Sequence, residues 1–236
     1  MDITLGGTVG WLAMEPAGPR RASRWQNAVR LLLLIATAAE PVTADGRAPK
    51  DAVSVVRTQV LLQKLDFWVR CPDYLAWELL TEFETYPDDP ALWHLAEDIL
   101  SSDEPDVRRY PMLRHRFGAF EQMHEALGML IERSMVTKRH IPRGDQVGQH
   151  DYYLRERGRE VADTIMREVP DLHWYVDRTT TVVGLVKGLG PSAVKARQYL
   201  QRDYADTPIG SYIASITDQA RQRLEQLRPS GPVRGR

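Results

Sequence analysis

Lys138, Arg139, His140 and Arg143 lie within six positions of one another around Pro142-Arg143-Gly144-Asp145, a run with the composition of a turn. Cations presented by a hairpin tip can contact backbone phosphates, and Arg114 and Arg116 upstream are further candidates for nucleic-acid contact. A second group has the opposite character: Glu82, Glu84, Asp88 and Asp89 are candidates for docking a protein partner. The remaining reactive residue types are scattered. None of the six histidines forms a spaced pair with a carboxylate suited to a metal, so no metal site is expected. Cys71, the only cysteine, precedes a proline in an apolar context and reads as a buried thiol rather than a nucleophile. Gly184, Gly188 and Gly190 lack the Gly-Lys-Ser or Gly-Lys-Thr that follows in a phosphate loop, so they read as a helix stop. No catalytic set and no cofactor are expected.

Charge is segregated along the chain, although the net formal charge is only -1. Between Cys71 and Val107 there are eleven acidic residues and no Lys or Arg; between Arg108 and Arg159 there are eleven basic residues against six acidic ones. Either the two regions neutralise one another within the molecule, or each meets a different partner. A single cysteine excludes an internal disulfide and fits a reducing compartment, so a cytoplasmic protein is expected. The apolar run Leu31 to Ala36 is too short to span a bilayer, and no membrane association is expected.

The elements that must position these groups follow from periodicity. Residues 1–24 are rich in glycine and proline and read as an arm. Trp25 to Ala39 has helical spacing, with a continuous apolar run that implies burial on more than one side. Ala52 to Val69 reads as a second long helix, broken or kinked by Pro72; Tyr74 to Phe83 and Ala91 to Leu100 are helical. Ala119 to Ser134 carries Phe120, Met123, Leu127, Leu130 and Ile131 at helical spacing. Val136 to Ile141 and His150 to Leu154 then form a hairpin, and Gly158 onward resumes a helix. Asp171 to Lys187, Ser192 to Tyr204 and Ile209 to Leu227 are further helices, although Thr179 to Val183 is β-branched, and residues 228–236 read as a disordered tail.

Two resemblances attach to these strings. Leu130, Ile131, Ser134, Met135 and Val136, followed by Tyr153-Leu154 and Gly158-Arg159-Glu160, resemble the winged-helix domain of the MarR and PadR families, with Ser134 where glycine is usual and Arg155 where threonine is. The resemblance implies a mainly α fold: an elaborated winged helix with a two-stranded wing, spanning 25–170 with an acidic helical insertion over 71–107, and covered by a C-terminal helical region over 171–227. Separately, Lys64-Leu65-Asp66-Phe67-Trp68-Val69-Arg70-Cys71-Pro72-Asp73-Tyr74-Leu75, with Tyr110 to Gly118, resembles a segment of the small middle components beside SMC-type ATPases in bacterial three-component, Lamassu-like defence systems. It implies a non-catalytic accessory subunit docking on a larger ATPase or effector in antiviral or anti-plasmid defence. The alternative is a dimeric winged-helix regulator that binds DNA through its wing. Against groove reading, the outward side of the helix before the wing carries Glu121, Gln122, Glu125 and Glu132, and its three carboxylates oppose the phosphate field.

Overall fold

The computed structural model describes residues 23–43, 48–102, 112–115, 118–120, 123–143 and 146–229. The protein is mainly helical with a small antiparallel sheet. Helix α1 (Arg24–Ala38) starts with Ser23 and Gln26 in a reciprocal capping box. Leu31 to Ile35 are buried all round it, because α1 runs through the middle of the molecule. Strand β1 (Glu40–Pro41) leads to β2 (Ala52–Val56), where a single helix from Ala52 is expected. Val53, Val55 and Val56 are β-branched, and the backbone of β2 finds an antiparallel partner far along the chain. Thr58 at φ 70° turns the chain into helix α2 (Gln59–Arg70), capping it through Leu61 N at 3.1 Å.

Pro72 opens α3 (Pro72–Thr85), so α2 and α3 meet at Cys71 as two helices rather than one kinked helix. Helix α4 (Pro90–Ser101) packs beside α3. The short strands β3 (Leu113–His115) and β4 (Gly118–Phe120) pair with each other, so Phe120 belongs to a strand; the next helix, α5 (His124–Glu132), is shorter than the spacing suggests. Then come β5 (Val136–Arg143), β6 (Gln146–Arg155) and α6 (Glu156–Glu168). The four-stranded sheet has the order β1-β2-β6-β5, all antiparallel, with Val136 opposite Leu154 and Tyr152 opposite Val56.

A 3₁₀ turn over Pro170–Leu172 precedes α7 (His173–Val186). Its β-branched stretch is helical, with Thr179 and Val182 buried in the core, and the hydroxyls of Thr179, Thr180 and Thr181 donate back to the carbonyls of Tyr175, Val176 and Asp177 at 2.7, 2.8 and 3.1 Å. Gly188 at φ 79° ends this region, and Pro191 opens α8 (Pro191–Gln198). The helix expected to run to Tyr204 is split there, and α9 (Arg202–Asp206) is a separate turn. Residues 209–216 are irregular, with a bridge from Tyr212 to Leu113, and α10 covers only Thr217–Gln226. Arms 1–22 and 230–236 lie outside the described residues. Buried apolar residues from α1 through α10 form one continuous core, so the C-terminal helices complete the interior.

Candidate functional site

The β5–β6 hairpin is built from its base. Asp151, on β6 and almost fully buried, accepts hydrogen bonds from Thr58 N at 3.2 Å and Gln149 Nε2 at 2.9 Å, with Arg57 at 3.6 Å. One carboxylate therefore fixes the strained corner between β2 and α2 to the returning strand. Further out, Arg139 is opposite Asp151 and His140 opposite His150 in the register, and the two imidazole rings meet edge to face at 5.3 Å. Gly148 makes room for this pair: a Cβ there would lie 2.1 Å from His140 Cε1. His150 is held below the ordinary imidazole value, first by burial and then by Lys138 and His140, with Asp151 opposing; it is neutral at physiological pH. Lys138 and Arg139 make no ion pair with a carboxylate among the described residues. Arg143 is in β5 with its side chain outside the description, and Arg116 lies outside the described residues altogether.

Helix α5, beside the hairpin, ends in a corner that explains the motif residues. Ser134 adopts φ 58°, its N–H donates to Ile131 O at 2.9 Å and Met135 N–H to Leu130 O at 2.9 Å, which is the Schellman pattern. A glycine is favoured at this position for its conformational freedom, and serine occupies it under strain. Gly158 crosses directly over the corner; its Cβ would lie 2.3 Å from the Met135 carbonyl oxygen. Arg159 donates to Ala36 O at 2.8 Å and so caps α1. On its outer side α5 presents His124, Glu125, Gly128, Ile131 and Glu132, with Ile131 38% exposed. Arg133 does not extend this face as a free cation, because it stacks over the exposed Trp25 ring at 4.9 Å.

The acidic candidates are partly consumed within the molecule. Glu82 takes Arg197 Nη2 at 2.8 Å, alongside Glu78 on Arg197 Nε at 2.7 Å. Burial pushes the Glu78 carboxyl up, and Arg197 opposes that shift. Glu84 pairs with Arg223, whose guanidinium also stacks on Trp77 at 4.3 Å. Arg223 and Glu84 line a surface groove of about 400 Å³ between α3 and α10. Asp89 caps α4 by accepting from Ala91 N at 3.2 Å, and Asp88 is exposed. Among the described residues, acidic α3 is thus met by arginines of the C-terminal helices. Arg114 is also engaged: its Nη1 donates to Tyr204 O and Ala205 O, and its guanidinium lies over Tyr199 and Tyr204 at 5.0 and 5.1 Å.

Sequence reasoning missed the polar interior of α2 and α3. Every residue from Leu62 to Ala76 is buried. Asp66 receives Arg30 at 2.9 Å and Arg70 at 3.5 Å. Asp73 accepts from Ser215 Oγ and Ile216 N, both at 2.9 Å, while Tyr74 donates to Ala214 O at 3.1 Å, holding the irregular segment before α10. The signal was available: within Lys64 to Tyr74, charged residues interrupt apolar ones so closely that no helical face remains wholly polar. No family model matches the chain, and neither a curated protein nor a solved structure matches it.

Proposed function

We propose that the chain is an elaborated winged helix used for docking, a non-catalytic accessory subunit that seats on a larger ATPase or effector protein. The order α1, β2, α2, α5, β5, β6, with β6 between β2 and β5, supports the winged-helix reading, residues 71–123 being an insertion between its second and third helices. The observation that carries the docking reading is the outer face of α5. A helix that enters the major groove meets a wall of phosphates. This one offers two carboxylates, a glycine and an exposed isoleucine, which suits a protein surface better. The defence role implied by the Lys64 to Leu75 string belongs to the same proposal.

The test is co-expression with the neighbouring genes, purification through a tag on this chain, and mass measurement of the intact assembly. The proposal expects a stoichiometric complex that Ile131→Asp weakens by about tenfold or more. An assembly indifferent to that change removes α5 as the docking face. Exposed Arg139 favours one second reading, a dimeric DNA-binding regulator, in which a bare homodimer would carry DNA and lose it on Arg139→Ala with Arg143→Ala.

A further inference from the structure

Away from the wing, three cations gather around two tyrosines where α2, β3, α8 and α9 meet. Lys64 Nζ lies 5.9 Å from the Tyr199 ring centroid and 5.8 Å from that of Tyr204, and 3.4 Å from the Tyr204 hydroxyl. The Arg114 guanidinium lies over the same two rings, and Lys195 Nζ is 5.7 Å from Tyr199. The rings pack edge to face at 5.3 Å. Lys64 is 1% exposed. None of the three cations has a carboxylate within ion-pair distance among the described residues.

Ring quadrupoles offset only part of such a concentration of charge. Buried cations ordinarily carry an anionic partner, since an unpaired ion in the interior is strongly disfavoured. Unused hydrogen-bonding capacity collects in the same region. Arg114 Nε is buried without a partner. So are both amide atoms of Gln198, which is 1% exposed and sits between Lys195 and Tyr199 on α8. We infer that this junction is a binding site for a phosphoryl oxyanion, held by Lys64, Arg114 and Lys195. The two ammonium groups and Arg114 Nε supply more donors than the two oxygens of a carboxylate can use, whereas a tetrahedral phosphate presents four oxygens. The Lys64 ammonium, pushed down to about 7 by burial and then by Lys195 and Arg114, is the group that such an anion would restore to its charged form. By bridging α2, β3 and α8, the ligand would tie the C-terminal helices to the centre of the fold.

The test uses the full chain at pH 6.5, titrated with sodium phosphate against sodium chloride of equal ionic strength and followed by calorimetry and thermal melting. Saturable heat at one equivalent, with a rise in Tm that chloride does not give, is expected. Lys195→Ala, on the rim of the site, should weaken binding about tenfold, and Lys64→Met should abolish it. Because Lys195 is half-exposed, its variant keeps the test valid even if the buried substitution perturbs folding. Adenosine monophosphate distinguishes the source: tighter binding than phosphate assigns a nucleotide, and its exclusion assigns free phosphate. No saturable effect in the wild type, or affinity unchanged in both variants, overturns the inference.

Discussion

Lys64→Met isolates the most strongly perturbed amine of the core. Methionine fills the space of the lysine stem and removes the ammonium. In the native state the Lys64 value is about 7, against 10.5 in the unfolded chain. Between those values the unfolded chain binds more protons than the native one. Wild-type stability contributed by this group therefore rises with pH across that window, and the full penalty is present below it. One group titrating in only one state changes stability by about 1.4 kcal/mol per pH unit. From pH 7 to pH 9.5 the wild type should gain about 3 kcal/mol relative to the variant. The stability difference between the two proteins therefore shifts in favour of the wild type as pH rises from 7 towards 9.5. Urea unfolding of both proteins in phosphate-free buffers from pH 7 to 9.5 measures the difference, in which all other titrating groups cancel. A difference constant with pH to within about 0.5 kcal/mol would refute the reasoning, because it would mean that Lys64 keeps its proton as it does in water.

Two further predictions concern the corner between α5 and β5. Ser134→Gly relieves a left-handed residue that makes no side-chain contribution to the Schellman bonds, and should raise stability by about 0.5–1 kcal/mol in chemical denaturation. A loss of stability would show that the serine hydroxyl matters more than the backbone strain. Gly158→Ala puts a methyl group 2.3 Å from a carbonyl oxygen of the backbone, which cannot step aside as a side chain would. A loss of about 1–3 kcal/mol is expected, with the amide resonances of Met135 and Arg155 shifting most; a neutral outcome would contradict the close approach of α6.

The corner shows what could be read from residues alone. Ser134, Met135 and Gly158 attract notice as a string, and their packing supplies the reason: a helix stop needing a left-handed residue, crossed by a helix needing no side chain at the crossing. The α1, α3, α4 and hairpin assignments follow from periodicity in the same way. Ala52 to Val56 was not legible because its valines are compatible with either a strand or a buried helix face, and the strand that decides the matter lies about a hundred residues away in β6. Residues 209–216 have helical spacing as well. Their backbone instead bonds to β3, with Arg114 N donating to Ser211 O at 2.8 Å and Ile213 N to Met112 O at 2.9 Å. Non-local partners of that kind leave no local trace.

Charge segregation has the same lesson on a larger scale and bears on function. The acidic α3 looks like a surface awaiting a partner when counted along the chain, yet its Glu78, Glu82 and Glu84 are met by Arg197 and Arg223 from α8 and α10. A pairing of that kind, with arginines largely shielded from solvent, is retained at ordinary ionic strength better than an exposed one. Lys138 and Arg139 make no ion pair with a carboxylate among the described residues; Asp151, opposite Arg139 in the register, already serves Thr58, Gln149 and Arg57 at the base of the hairpin. The cationic hairpin therefore stands next to the carboxylate-bearing face of α5. A single flat phosphate surface would be attracted by one and repelled by the other. Under the docking proposal, this juxtaposition suits a protein partner contacting α5.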